Sequence, residues 1–164
     1  MKLWLIRHAK SDWNSAARSD FQRPLNRRGE RDGPRMAAWL ATQSDPARWI
    51  WSSDAVRARA TARFVADGFA GAQVIEEHRL YDAAPEQLLE VIRETPEDIT
   101  AAAVVAHNPG MTYLVNLLTG ADVTANLPTF GVARLEVPSP WRELRFGCGV
   151  LEILTSPKTL DRKP

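Results

Sequence analysis

The chain reads as an α/β domain in three layers, an α/β/α sandwich with a mostly parallel central sheet and antiparallel edge strands. Three observations predict this. Strand-like apolar runs alternate with amphipathic segments of helical period; one run, TAAAVVAH at 100–107, is apolar almost throughout, as a strand covered on both faces must be; and the last third turns to alternating patterns broken by PSP at 138–140. The 164 residues are the size of one domain, and we read 1–164 as a single one, with no repeat, low-complexity tract or linker. At that length folding buries roughly two-thirds of the surface of the unfolded chain, enough for a core without staples.

The elements follow in order. LWLIR (3–7) is a buried strand that stops at Arg7 and His8. A helix over 27–43 contains Pro34, so it either kinks there or begins near Gly33. ARWIWSS (47–53) is a second strand, followed at 53–68 by a helix with a serine at its N-cap, Val56, Ala60 and Phe64 at i, i+4, i+8, and Gly68 as its stop. AQVIEE (72–77) is a third strand. The next helix opens with Pro85 in its first turn, turns Leu88, Leu89 and Ile92 inward and ends before Pro96. After TAAAVVAH comes a helix with Asn108 as N-cap, Leu114, Leu117 and Leu118 facing inward, and Gly120 as stop. FGVARLEV (130–137), WRELRFG (141–147) and VLEIL (150–154) read as antiparallel edge strands.

Composition narrows the function. A net charge of +1 argues against nucleic acid or a membrane surface as partner. No run of ~18 apolar residues is present, and the N-terminal apolar stretch is too short for a signal peptide. Cys148 stands alone and cannot form an internal disulfide, which fits a reducing compartment, and His8, His78 and His107 are too scattered for a zinc signature. A soluble, cytoplasmic protein without metal or organic cofactor is expected, a monomer or weak homo-oligomer. Arginine outnumbers lysine 17 to 4. A GC-rich genome accounts for such an excess, so individual arginines must be argued from position.

Three strand-to-helix junctions carry chemistry, because in an open α/β sheet the carboxyl ends of neighbouring strands converge on one crevice. They are Arg7 with His8, the SSDAVR stretch with Arg57 in the first turn of its helix, and AHNPG, where His107 precedes a helix N-terminus. Taken singly these are a solvated strand end, a helix-surface arginine and a capped turn. Together, two arginines, two histidines and helix N-termini make a cationic pocket suited to a phosphoryl group. There is no glycine-rich Walker loop for a nucleoside triphosphate, and a histidine can serve as nucleophile while arginines spread the transferred charge.

These stretches resemble the histidine phosphatase superfamily, also called the phosphoglycerate-mutase-like fold. LIRHAKSDWN is similar to its R-H-G-x-S-x-x-N opening, SSDAVRARATA to its S-S-x-x-x-R-A-x-x-T-A segment, and VVAHNPGM to the short form of its second histidine motif. Within the superfamily the small SixA-type branch, named for phosphohistidine phosphatases, matches best, and the matching stretches span nearly the whole chain. The resemblance implies that His8 becomes a phosphohistidine and that Arg7, Arg57 and His107 hold the phosphoryl oxygens, with Ser11 and Asn14 at the family's polar positions beside them. Ala9 and Ala106 replace two family glycines, and both are small enough for close backbone approach.

Many members carry a glutamate after a strand as general acid, and RLYDA puts Asp82, one methylene shorter, at that place; a turn residue is the alternative reading. Imidazole, with a pKa near ~6.5, leaves readily if protonated beforehand, so a phosphohistidine substrate tolerates a weak acid or none. The resemblance therefore implies a metal-independent phosphatase acting through a phosphohistidine intermediate on a phosphorylated protein. The alternatives are a phosphomonoesterase for a small phosphorylated metabolite and a non-catalytic phosphate-binding module. Of six tryptophans most belong to the core; Trp13, in the loop after His8, is the candidate for substrate contact.

Overall fold

A computed structural model describes residues 1–162. Six strands, β1 (Lys2–Arg7), β2 (Trp49–Ser52), β3 (Gln73–Glu76), β4 (Ala101–Ala106), β5 (Val132–Glu136) and β6 (Val150–Thr155), form one sheet in the order β3-β2-β4-β1-β5-β6. The β3-β2, β2-β4 and β4-β1 pairs are parallel, and the β1-β5 and β5-β6 pairs are antiparallel. The helices are α1 (Arg27–Leu40), α2 (Val56–Gly68), α3 (Pro85–Arg93), α4 (Gly110–Thr119) and the short α5 (Pro157–Leu160).

Alternation along the central strands builds two cores. In β1, Leu3 and Leu5 join Trp51, Val104, Leu114 and Leu118 beneath α3 and α4. Trp4 and Ile6 point the other way, to Ile50, Val105, Met36 and Val65 beneath α1 and α2. The three-layer sandwich is thus formed, and among the described residues no helix is long and apolar enough to cross a membrane.

Several local expectations change. Residues 141–147 are not a strand: Trp141–Glu143 is a 3-10 turn. Pro138 and Pro140 remove ladder donors there, and Trp141 is buried with its indole N–H on Ile99 O at 2.6 Å. Helix α1 begins at Arg27, capped by the Asn26 side chain, and runs through Pro34, which lies on its exposed side, where water can reach the carbonyl that loses its partner. No serine caps α2, whose N-cap is Ala55. Its buried face carries Ala58, Ala62 and Val65 with Arg57 and Thr61, while Val56, Ala60 and Phe64 are only partly covered. In α4 the N-cap position falls on Pro109, yet the Asn108 side-chain Oδ1 accepts from the Thr112 N–H at 3.1 Å and so performs the expected capping. Leu117 is exposed, and Met111 and Val115 take its place in the core. The predicted Gly120 stop is in the left-handed conformation, φ 70°.

Candidate active site

Strand register sets the site. Arg7 at the end of β1 lies opposite Ala106 of β4, and Ser52 of β2 lies opposite Val105. The ladder runs one residue further: His8 N donates to Ala106 O at 3.0 Å and Ser53 N to Val105 O at 2.9 Å. His8, Ser53 and His107 therefore leave three adjacent strands at the same edge, and α2 carries Arg57 back over them.

The His8 ring is buried and its Nδ1 lies 2.7 Å from Ala9 O. A carbonyl only accepts, so Nδ1 holds the proton and Nε2 keeps its lone pair. Arg57 Nε donates to that Nε2 at 3.4 Å. Burial pushes His8 down to about 3, assisted by His107, Arg57 and Arg7, so the ring is neutral at physiological pH.

His107 packs with its ring centroid 5.1 Å from that of His8. Its Nε2 is 2.7 Å from Ser53 Oγ, which itself accepts from Ala55 N at 3.2 Å. With that lone pair engaged, the Ser53 hydroxyl can donate to Nε2 and leave the His107 proton on Nδ1, a buried atom with no partner among the described residues. Burial, then Arg57, lower His107 to about 3 as well. Arg7 donates through Nη1 to Leu127 O at 2.9 Å, while its buried Nε has no partner among the described residues. Two polar hydrogens, on Arg7 and His107, thus lack acceptors among the described residues in the neighbourhood of the His8 ring.

Three residues passed over in the sequence complete the cluster. Asp20 accepts from Arg57 Nη2 at 2.8 Å, Arg23 Nη2 at 2.9 Å and the Tyr81 hydroxyl at 2.7 Å, and its backbone oxygen accepts from Arg57 Nη1 at 2.6 Å. Partial burial pushes the Asp20 carboxyl up, but the hydrogen bonds from Tyr81, Arg23 and Arg57 outweigh it and hold the group well below the usual carboxylate range. Arg23 also donates to Ser11 Oγ and lies 3.7 Å from the centre of the Trp13 ring. The Tyr81 ring meets His107 edge-on at 5.4 Å. A charged pair inside SDFQRP, with the arginine directly before proline at a helix entrance, was the available signal for Asp20 and Arg23. Tyr81 stood one residue from the acid that drew attention.

The expected residues divide accordingly. Arg7, His8, Arg57 and His107 converge, and Ser11 is buried and joins them through Arg23. Asn14 is exposed, with its backbone N–H on Asp12 Oδ1 at 2.8 Å. Asp82 is exposed at φ 53°, the turn conformation, and among the described residues its side chain hydrogen-bonds to none of the cluster. Its neighbour Tyr81 makes that contact instead. A hollow of about 690 Å³ lined by Tyr113 and Leu117 gathers no such convergence of donors among the described residues.

A neutral imidazole whose Nε2 accepts from Arg57, with further guanidinium groups at the carboxyl edge of a parallel sheet, makes a cationic site suited to an oxyanion. The chain belongs to the histidine phosphatase superfamily, branch 1, whose family model matches residues 3–88, a span that holds His8 and Arg57. It is an enzyme of the phosphatase type. An uncharacterized protein of Mycobacterium tuberculosis is 32% identical over 155 residues, covering 89% of this chain and 96% of that protein. A structure described as a candidate phosphohistidine phosphatase SixA of Nakamurella multipartitia superposes with a TM-score of 0.83 at 24% identity, over 95% of each chain. The protein histidine phosphatase SixA complexed with tungstate gives 0.82 at 23% identity, over 98% of this chain and 99% of that one. At these identities the two structures establish a shared phosphoglycerate-mutase-like fold.

Proposed function

We propose that the protein removes phosphoryl groups from phosphohistidine on other proteins, in two steps and with no metal ion. The observation that carries the reading is the His8 ring held at Nδ1 by Ala9 O, with the Nε2 lone pair turned toward Arg57. In the first step Nε2 attacks phosphorus in line. The bond from phosphorus to the substrate nitrogen breaks, its electron pair goes to the departing imidazole, and His8 becomes phosphohistidine. Water then attacks the same phosphorus, releasing inorganic phosphate and restoring His8. The roles of Arg7, Arg57 and His107 Nδ1 are to donate to the equatorial oxygens as their charge is redistributed.

Two features favour a phosphoamidate over an ester. An alkoxide needs a proton from an acid, and Asp82 makes no hydrogen bond to the cluster, whereas an imidazole protonated in advance leaves as a neutral base. Known SixA proteins that share this fold are named for the same substrate class. A phosphomonoesterase for a small metabolite remains the second reading and would use Asp82 as its acid.

A turnover panel of a phosphohistidine protein, a phosphoserine peptide and 4-nitrophenyl phosphate tests this. The expected order places phosphohistidine first. His8→Ala should abolish turnover, acid-labile phosphate should be trapped on His8 of the native chain, and Arg57→Ala should cost ~3 kcal/mol in kcat/KM, as removal of an oxyanion donor does. Residual turnover by His8→Ala sinks the nucleophile assignment. Preference for the ester, lost in Asp82→Asn, selects the second reading.

A further inference from the structure

We propose that Asp20 is a specificity-determining residue: its carboxylate, seated on Arg57 and Arg23 at the mouth of the site, excludes ligands that carry a second anionic group beside the phosphoryl group. The proposal deepens the phosphatase reading and rests on it.

The position comes from accessibility and partners together. The Asp20 side chain is 48% exposed, while the two arginines it binds are 5% (Arg57) and 9% (Arg23) exposed, so the carboxylate covers them on the solvent side. It is met before either guanidinium can be reached. Arg57 gives both terminal nitrogens to Asp20, one to its carboxylate and one to its backbone oxygen, and keeps only Nε toward His8. Arg23 spends Nε and Nη2 on Asp20, at 3.3 and 2.9 Å, and Nη1 on Ser11. The fork that would grip the carboxylate of a small acidic metabolite already holds one.

Charge leads to the same result. Arg7, Arg23 and Arg57 face two neutral imidazoles and one carboxylate, so two positive charges remain in excess. That excess matches a monosubstituted phosphoryl group, which carries roughly two negative charges near neutral pH. A further anionic group on the ligand would lie beside Asp20 and be repelled. At the rim, Asp54 accepts from His78 at 3.0 Å, and Arg18 lines a shallow pocket with Trp13 and Asp20. Phe21 meets Tyr81 edge-on at 5.1 Å there, adding aromatic surface. The substrates that fit are phosphoryl groups on neutral or cationic carriers, and a side-chain imidazole is one.

Calorimetric titration of the full chain with methylphosphonate and phosphonoacetate, which differ by one carboxylate, tests the proposal without requiring turnover. The native chain should bind methylphosphonate the more tightly. Asp20→Asn should shift the ratio of the two Kd values toward phosphonoacetate on the order of tenfold, less at high salt. Asp20→Glu, which keeps the charge, should retain the native ratio even if both affinities fall. An unchanged ratio in Asp20→Asn overturns the proposal and leaves the phosphatase reading standing. Failure of the native chain to bind methylphosphonate at all overturns both.

Discussion

Single atoms decide what each residue of the site can do. His8 is useful because Nδ1 is committed to Ala9 O, and His107 because Nε2 is committed to Ser53, so each ring turns one defined nitrogen toward the pocket. Ser53 acts through His107 and is a positioning residue. Ser53→Ala leaves His107 free to take either tautomer. Loss of one such hydrogen bond costs ~1 kcal/mol, so kcat should fall roughly fivefold with little change in KM. Ser53→Thr, which restores the hydroxyl, should recover most of it. Steady-state kinetics of the two variants check this, and equal losses in both would assign Ser53 a packing role only. The serine is visible in the sequence but reads there as a helix cap, because capping is the commonest task of a serine before a helix. Nothing local revealed that the helix would start at Val56 and release the hydroxyl to a histidine far along the chain.

At the scale of elements, the sequence disclosed most where periodicity and chain stops agree. The four parallel strands and α3 with Pro85 at its head lie where pattern placed them. It disclosed least on α2, where the buried stripe holds Arg57 and Thr61, polar residues that no hydrophobic periodicity selects. Thr61 Oγ1 accepts from Ala9 N at 2.9 Å, so that stripe supports the His8 loop as well as the core. Close approach of elements explains the glycine of HNPG. A Cβ on Gly110 would lie 2.2 Å from Ala83 O, in the segment that carries Tyr81. Gly110→Ala must push α4 away from that segment. A loss of about 1–3 kcal/mol of stability is expected, with lower activity as Tyr81 and His107 separate. Urea unfolding and kcat/KM on one preparation measure both, and an unchanged midpoint would show that the segment yields without cost.

For the whole molecule, the order β3-β2-β4-β1 brings three chemically equipped strand ends side by side, and this was legible because all three motifs sit at strand ends. The Asp20 hub was not, because it depends on how an irregular loop folds over the sheet edge. The fold also couples its site to its stability. His8 and His107 are held neutral, with pKa values near 3 against ~6.5 in the unfolded chain. Between those values the unfolded chain takes up protons that the folded one refuses. Their contribution is therefore fully present above pH 6.5 and is lost as pH falls toward 3. From pH 7 to pH 5 the unfolding free energy should drop by about 2 kcal/mol for each histidine. His107→Gln should roughly halve that drop, and urea titrations at the two pH values would detect it; a flat response would mean that both rings protonate in place.

Trp13 is 72% exposed yet rests on the Arg23 guanidinium, one link from the carboxylate that holds Arg57. The buried indoles of Trp4, Trp51 and Trp141 bond elsewhere, to Asp45 O, Thr95 Oγ1 and Ile99 O. An oxyanion that draws Arg57 or Arg23 toward the pocket must disturb the charge beneath the Trp13 ring, and with it the ring's emission. On the proposed function, oxyanion binding should therefore change Trp13 emission before any bond is broken, and a fluorescence titration with inorganic phosphate reads it; unchanged emission at saturation would uncouple Trp13 from the site.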